Sequence, residues 1–189
     1  MKTTPSEFID RTILVHEGDK HSVDPDDKGN WLDGRLVGSK YGVTGAALAK
    51  YRKVPTSAIT FNVMANLKRP EAIDLALTEY YRTRGLDLLP WDAVIASVVD
   101  HGYNRGQGTA VRVLQRMIGV GDDGQAGEQT REAYRKWRCK YDEAEAMRVW
   151  TQTRLRDYQS LRNRKYINGW TNRANSFLPG TGWWKANVG

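Results

Sequence analysis

Apolar residues recur at helical intervals through most of the chain. In residues 6–16, Phe8, Ile9, Thr12, Ile13 and His16 fall on one helical face, with Ser6 placed to cap its start and Gly18 to stop it. Glu17 then stands at the end of this helix. Residues 18–43 lose the periodicity. They are rich in Gly, Asp and turn formers and predict a long polar loop carrying a short, irregular β-ribbon. Helical spacing resumes in GAALAKYR after Thr44, again after Pro70 and again after Pro90, each proline suiting a first helical turn. After Pro90, Trp91, Val94, Ile95, Val98 and Val99 form a broad apolar face, so this helix is expected at the centre of the fold. A further helix ends at Gly119, residues 128–160 make one long helix or two, and a short helix near 164–175 precedes a tail with Pro179 and Gly180. The class expected is mainly α, without internal repeats. The expected division is a first region, 1–92, and a C-terminal helical lobe, 93–189, packed as one compact unit.

Composition narrows the picture. With 189 residues, 40% hydrophobic and 27% charged, the chain has the balance of a globular protein, and seven Trp and nine Tyr argue against disorder. No run of about 18 apolar residues is present, so no integral membrane segment is expected. The N-terminal stretch lacks the apolar core and small-residue cleavage site of a secretory signal. One cysteine, Cys139, excludes an intramolecular disulfide. The net charge is +7, and residues 131–173 carry that whole excess. A localised basic surface suits a polyanion: nucleic acid, or a bacterial wall with its peptide carboxylates and phosphates. It also suits a plain solvated helix face.

The candidate chemistry lies in His16-Glu17-Gly18 and the acidic loop after it, with Asp24, Asp26 and Asp27. Glycoside hydrolysis needs a protonated carboxylic acid for the leaving oxygen and a second carboxylate across the bond. A Glu ending an apolar helix is partly desolvated, which favours its neutral form, while an Asp in an open loop stays ionised. Glu17 and Asp26 fit that asymmetry. Trp31, in the same loop, suits stacking on a pyranose ring. The three histidines lack the spacing of a metal site, so neither a metal nor a cofactor is called for.

The stretch HEGDKHSVDPDDKGNWLDGRLVGSKYGVT resembles the N-terminal signature of glycoside hydrolase family 108, which comprises phage endolysins and related bacterial muramidases. Glu17-Gly18, Asp24-Pro25-Asp26-Asp27 and Tyr41-Gly42-Val43-Thr44 stand at the family's Glu-Gly-Gly, Asp-Pro-x-Asp and Tyr-Gly-Ile-Thr positions, with Asp19 in place of the second glycine. The stretches VVDHGYNRGQGTAVRVLQRMIGV, GDDGQAGEQTREAY and RKYINGWTNRAN are similar to its second half and to a peptidoglycan-binding lobe. The resemblance implies a lysozyme-like helical body, hydrolysis of the bond from N-acetylmuramic acid to N-acetylglucosamine, and Glu17 as general acid. It implies Asp26, nine residues on, as second carboxylate, with Asp24, Asp27 and Asp33 close by, and a hydroxyl partner at Thr44 or Ser39. Asp24, Trp31, Tyr41, His101 and Asn104 are the expected substrate contacts, although a helix-end role suits His101 and Asn104 equally. Peptidoglycan is the expected partner, nucleic acid is not, and the chain is expected to be a monomer. Such an enzyme is expected to await, in the host cytoplasm, a holin that opens the membrane. The competing class is a non-catalytic basic module that binds cell wall or nucleic acid.

Overall fold

The computed structural model describes residues 1–14, 19–161 and 167–189. It is mainly α, with two short hairpins where the polar loop was expected. The chain divides into two compact units, residues 6–78 and residues 1–5 with 79–189.

The first unit begins with α1 (Pro5–Phe8), which widens into a π-helical turn over Ile9–Ile13 that Leu14 closes by donating its N–H to the Ile9 carbonyl. The five-residue spacing brings Ile9 and Leu14, both buried, to the core side beside Phe8. A 3-10 turn over Lys28–Asn30 leads to β1 (Trp31–Leu32), paired antiparallel with β2 (Arg35–Leu36). The hairpin β3 (Ser39–Lys40) and β4 (Val43–Thr44) follows. Thr44 ends the second hairpin and caps α2 (Gly45–Arg52), its hydroxyl accepting the Ala47 N–H. α3 (Phe61–Ala65), which hydrophobic periodicity did not single out, is capped in the same manner by Thr60. α4 (Arg69–Leu77) runs on into a π-helical turn over Thr78–Arg82. Leu32, Val37, Val43, Leu48, Ile59, Met64 and Leu67 fill the core between hairpins and helices.

The second unit is built round α5 (Ala93–Arg105), started by the Asp92 carboxylate on the Ile95 N–H and buried without a break from Ala93 to Gly102. That is the central helix expected from the apolar face after Pro90. Gly106, at a φ of +81°, turns the chain into α6 (Gln107–Ile118). The segment 128–160 resolves into two helices, α7 (Glu128–Arg138) and α8 (Glu143–Gln159), broken where Asp142 and Glu145 form a reciprocal capping box. α9 (Ile167–Asn175) packs on α5 and α8. The tail forms α10 (Gly182–Asn187), where Asn187 accepts from the Lys2 N–H, so both termini belong to this unit.

Candidate functional site

The acidic loop of the first unit is held by its own polar groups. Asp24 accepts the Asp26 N–H at 2.9 Å, and Asp27 accepts the Gly29 N–H at 2.8 Å. Asn30, fully buried, is the hub: its side-chain N–H donates to the Asp24 carbonyl at 2.9 Å, and its backbone carbonyl accepts the N–H groups of Val37 and Gly38. Asp33 accepts the Thr56 hydroxyl. Asp26 is exposed, and its carboxylate accepts no hydrogen bond among the described residues.

Trp31 lies over this loop, 43% exposed, with its indole N–H donated to the Pro25 carbonyl at 2.8 Å. The N–H is engaged and a ring face is open, so the side chain offers stacking rather than a hydrogen bond. A backbone bridge, Ser22 to Ser39 with bonds of 2.8 and 2.9 Å, ties the loop to β3. Gly38 makes that bridge possible. At a φ of +81°, a Cβ on it would stand 2.2 Å from His21 Nε2 and 2.5 Å from the Ser22 carbonyl. His21 itself bonds the Val37 carbonyl at 2.8 Å and meets Phe61 edge to face. A hollow of about 260 Å³ opens here, lined by Lys20, Ser22, Asp27, Ser39, Lys40, Tyr41 and Gly42. Tyr41, buried at a φ of +54°, lies under the cations of Lys40 and Arg69, and Arg69 is paired with Asp10 at 2.6 Å.

Among the expected site residues, Asp24, Asp26, Trp31, Tyr41 and Thr44 therefore belong to one folded loop-and-hairpin assembly, with Ser39 and Asp27 on the wall of its hollow. Glu17 and His16 lie outside the described residues. His101 and Asn104 belong to the second unit. The His101 ring is fully buried: Nδ1 meets the Tyr158 hydroxyl at 3.2 Å, and Nε2 stands 3.2 Å from Asp157 without the alignment of a good hydrogen bond. Burial, which penalises the imidazolium, moves its pKa below the ordinary histidine value. Asn104 donates to the same Tyr158 hydroxyl at 3.3 Å.

These two residues border a buried ionic cluster that helical periodicity does not reveal. Asp100 on α5 is fully buried and binds Arg154 of α8 at 2.5 Å and Arg173 of α9 at 2.7 Å. Arg154, equally buried, also donates to Ser97 and Tyr158. The loop after α6 has its own organiser. Gln115 donates to Asp123, to the Gln125 carbonyl and to Thr130, and accepts the Gly124 N–H at 2.9 Å.

The comparisons with known proteins bear on both regions. A family model described as Glycosyl hydrolase 108 matches residues 11–106, more than half of the chain. The chain belongs to that family. A second model, described as Predicted Peptidoglycan domain, matches residues 109–175 and includes the Gln115-centred loop and the partners of Asp100. The protein is thus a glycoside hydrolase acting on peptidoglycan. No curated protein matches the sequence. Ten chains of solved structures match, among them Brucella abortus SagA at 23% identity and a TM-score of 0.67, covering 91% of this chain and 90% of that one. At that identity the likeness speaks for the fold. Among the described residues, no helix is long and apolar enough to cross a membrane.

Proposed function

We propose that the protein is a lysozyme-type muramidase that cleaves the β-1,4 bond between N-acetylmuramic acid and N-acetylglucosamine, with Glu17 as general acid. The observation that carries the reading is the acidic loop of this glycosyl hydrolase 108 chain, in which, of Asp24, Asp26, Asp27 and Asp33, Asp26 alone accepts no hydrogen bond among the described residues. Asp24, Asp27 and Asp33 hold hydrogen bonds, whereas Asp26 holds none among the described residues. A carboxylate free to accept from water suits the second acidic role. Asp26 positions or activates the attacking water, and the reaction inverts the anomeric centre, which asks for carboxyl groups roughly 6.5–9.5 Å apart. Thr44, whose oxygen accepts the Ala47 N–H, keeps its own proton to donate and completes the set, with Ser39 as the alternative hydroxyl. The open face of Trp31 stacks on a sugar ring, and Tyr41 and Asp24 shape the wall beside it.

Glu17→Gln keeps the shape and loses the proton, so the clearing of purified walls should slow by two or more orders of magnitude, within the usual worth of general acid catalysis. A folded Glu17→Gln protein retaining more than a tenth of the wild-type rate refutes the assignment. Mass spectrometry of the digest decides the bond, because reducing muramic ends mark a muramidase and reducing glucosamine ends a glucosaminidase. Asp26→Asn is expected to be more damaging than Asp24→Asn or Asp33→Asn. The resemblance to phage endolysins supports action as a monomer, accumulation in the host cytoplasm and release through a holin. Expression in a Gram-negative cell should then be harmless until chloroform opens the inner membrane, and spontaneous lysis counts against that route.

A further inference from the structure

Between α6 and α8 runs a groove of about 580 Å³ that the catalytic reading does not use. Its volume is that of a small-ligand site, roughly 300–1,000 Å³. Its lining is divided by chemistry. Val113 is buried and Met117 and Val149 are half-buried, whereas Arg116 and Arg156 are exposed. Arg156 makes no ion pair among the described residues. Arg116 is paired with Asp122 at 3.4 Å, but both side chains are largely exposed, and such pairs are weak enough to be exchanged for a ligand. The one acid in the lining, Asp157, is already balanced by Arg105 at 3.0 Å. The groove therefore offers an apolar strip beside two guanidinium groups, one of which, Arg156, lies in the segment 131–173 that carries the positive excess. All of it falls within the segment matched by the peptidoglycan domain.

We infer that this groove seats the stem peptide of peptidoglycan, with the methyl-bearing residues on Val113, Met117 and Val149 and the free carboxylates on Arg116 and Arg156. The inference rests on the reading of the chain as a peptidoglycan hydrolase and names the part of the polymer held away from the scissile bond. In the intact wall the lactyl carboxyl of each muramic residue is tied up in the amide to the peptide, so the free carboxylates that stand beside methyl groups belong to the stem peptide. Arginine is the side chain best matched to a carboxylate, since its fork can donate two parallel hydrogen bonds.

The test titrates the full-length chain with the tetrapeptide L-Ala-γ-D-Glu-diaminopimelate-D-Ala by calorimetry, and sediments it with intact sacculi and with sacculi stripped of peptides by an amidase. Wild type should bind the tetrapeptide and favour intact sacculi. Arg116→Ala/Arg156→Ala, whose sites are exposed and should fold normally, should bind the tetrapeptide at least tenfold more weakly, lose the preference for intact sacculi, and cleave stripped glycan at the wild-type rate. Equal binding by wild type and double variant, no wild-type binding at millimolar peptide, or a double variant that loses only binding to duplex DNA overturns the inference. If wild type releases no fragments from sacculi, the hydrolase reading falls on its own, and the peptide titration still decides the groove.

Discussion

Asp157 provides a charge whose worth to the fold can be read as a function of pH. Its carboxylate accepts from Arg105 Nε at 3.0 Å and stands 3.2 Å from His101, with the side chain only 12% exposed. Burial pushes its pKa up, but the contacts with His101 and Arg105 more than reverse this and bring it from 3.8 down to about 2. Arg105 is the firmer partner, because its Nε donates an aligned hydrogen bond, whereas His101 Nε2 is poorly aligned and burial disfavours its charged form. At about 1.4 kcal/mol per unit, the shift amounts to about 2 kcal/mol of stability. The sign follows from linkage. The folded pKa is depressed, so the contribution is whole above the unfolded value near 4 and disappears as pH falls through the folded value; about half is gone by pH 3. Asp157→Asn keeps the shape and removes the charge. Urea unfolding followed by tryptophan fluorescence should find the variant about 2 kcal/mol less stable at pH 7 and at pH 5, with the gap narrowing to about 1 kcal/mol at pH 3. A gap below about 0.5 kcal/mol at pH 7, or one that stays constant down to pH 3, refutes the reasoning.

Asp100→Asn leaves two guanidinium groups, one of them fully buried, without their counter-charge. The cost expected is about 3–5 kcal/mol, read as a fall of roughly 10 °C or more in Tm by calorimetry. Gly38→Ala forces a Cβ against His21 and the Ser22 carbonyl at a positive φ. It should cost at least about 2 kcal/mol by breaking the Ser22–Ser39 bridge, and wall-clearing activity should fall with it; a thermal melt equal to wild type counts against the role given to that bridge.

The fold was legible where burial is periodic. α5, α2 and α6 appear as sequence spacing predicts, because each lays a continuous apolar face on its neighbours. The apolar pattern left the break between α7 and α8 open; the Asp142 capping box, a local polar interaction, makes the stop. α3 and α10 are too short for a period to show, and both are started by a threonine cap, Thr60 and Thr181. The Asp100–Arg154–Arg173 cluster was hidden for another reason. Its members stand among apolar residues on three separate helices, and only tertiary packing turns three ordinary surface charges into a satisfied interior group.

The acidic loop shows the same limit at closer range. In DPDDKGN, every aspartate has the composition of a catalytic carboxylate and of a turn residue, since short acidic side chains accept backbone N–H groups one or two residues on. The family resemblance implies Asp26, nine residues after Glu17, but spacing says nothing about which oxygens are engaged. That is settled by Asn30, which the sequence offers as one more polar loop residue. Buried and bonded to the Asp24 carbonyl on one side and to Val37 and Gly38 on the other, it fixes the backbone so that Asp24 and Asp27 close turns. With those two carboxylates engaged in shaping the loop and Asp33 bound to Thr56, Asp26 is the one of these four that accepts no hydrogen bond among the described residues. Three of these four acids thus serve as scaffold, and the carboxylate proposed for the second acidic role is the one that does no structural work in the loop.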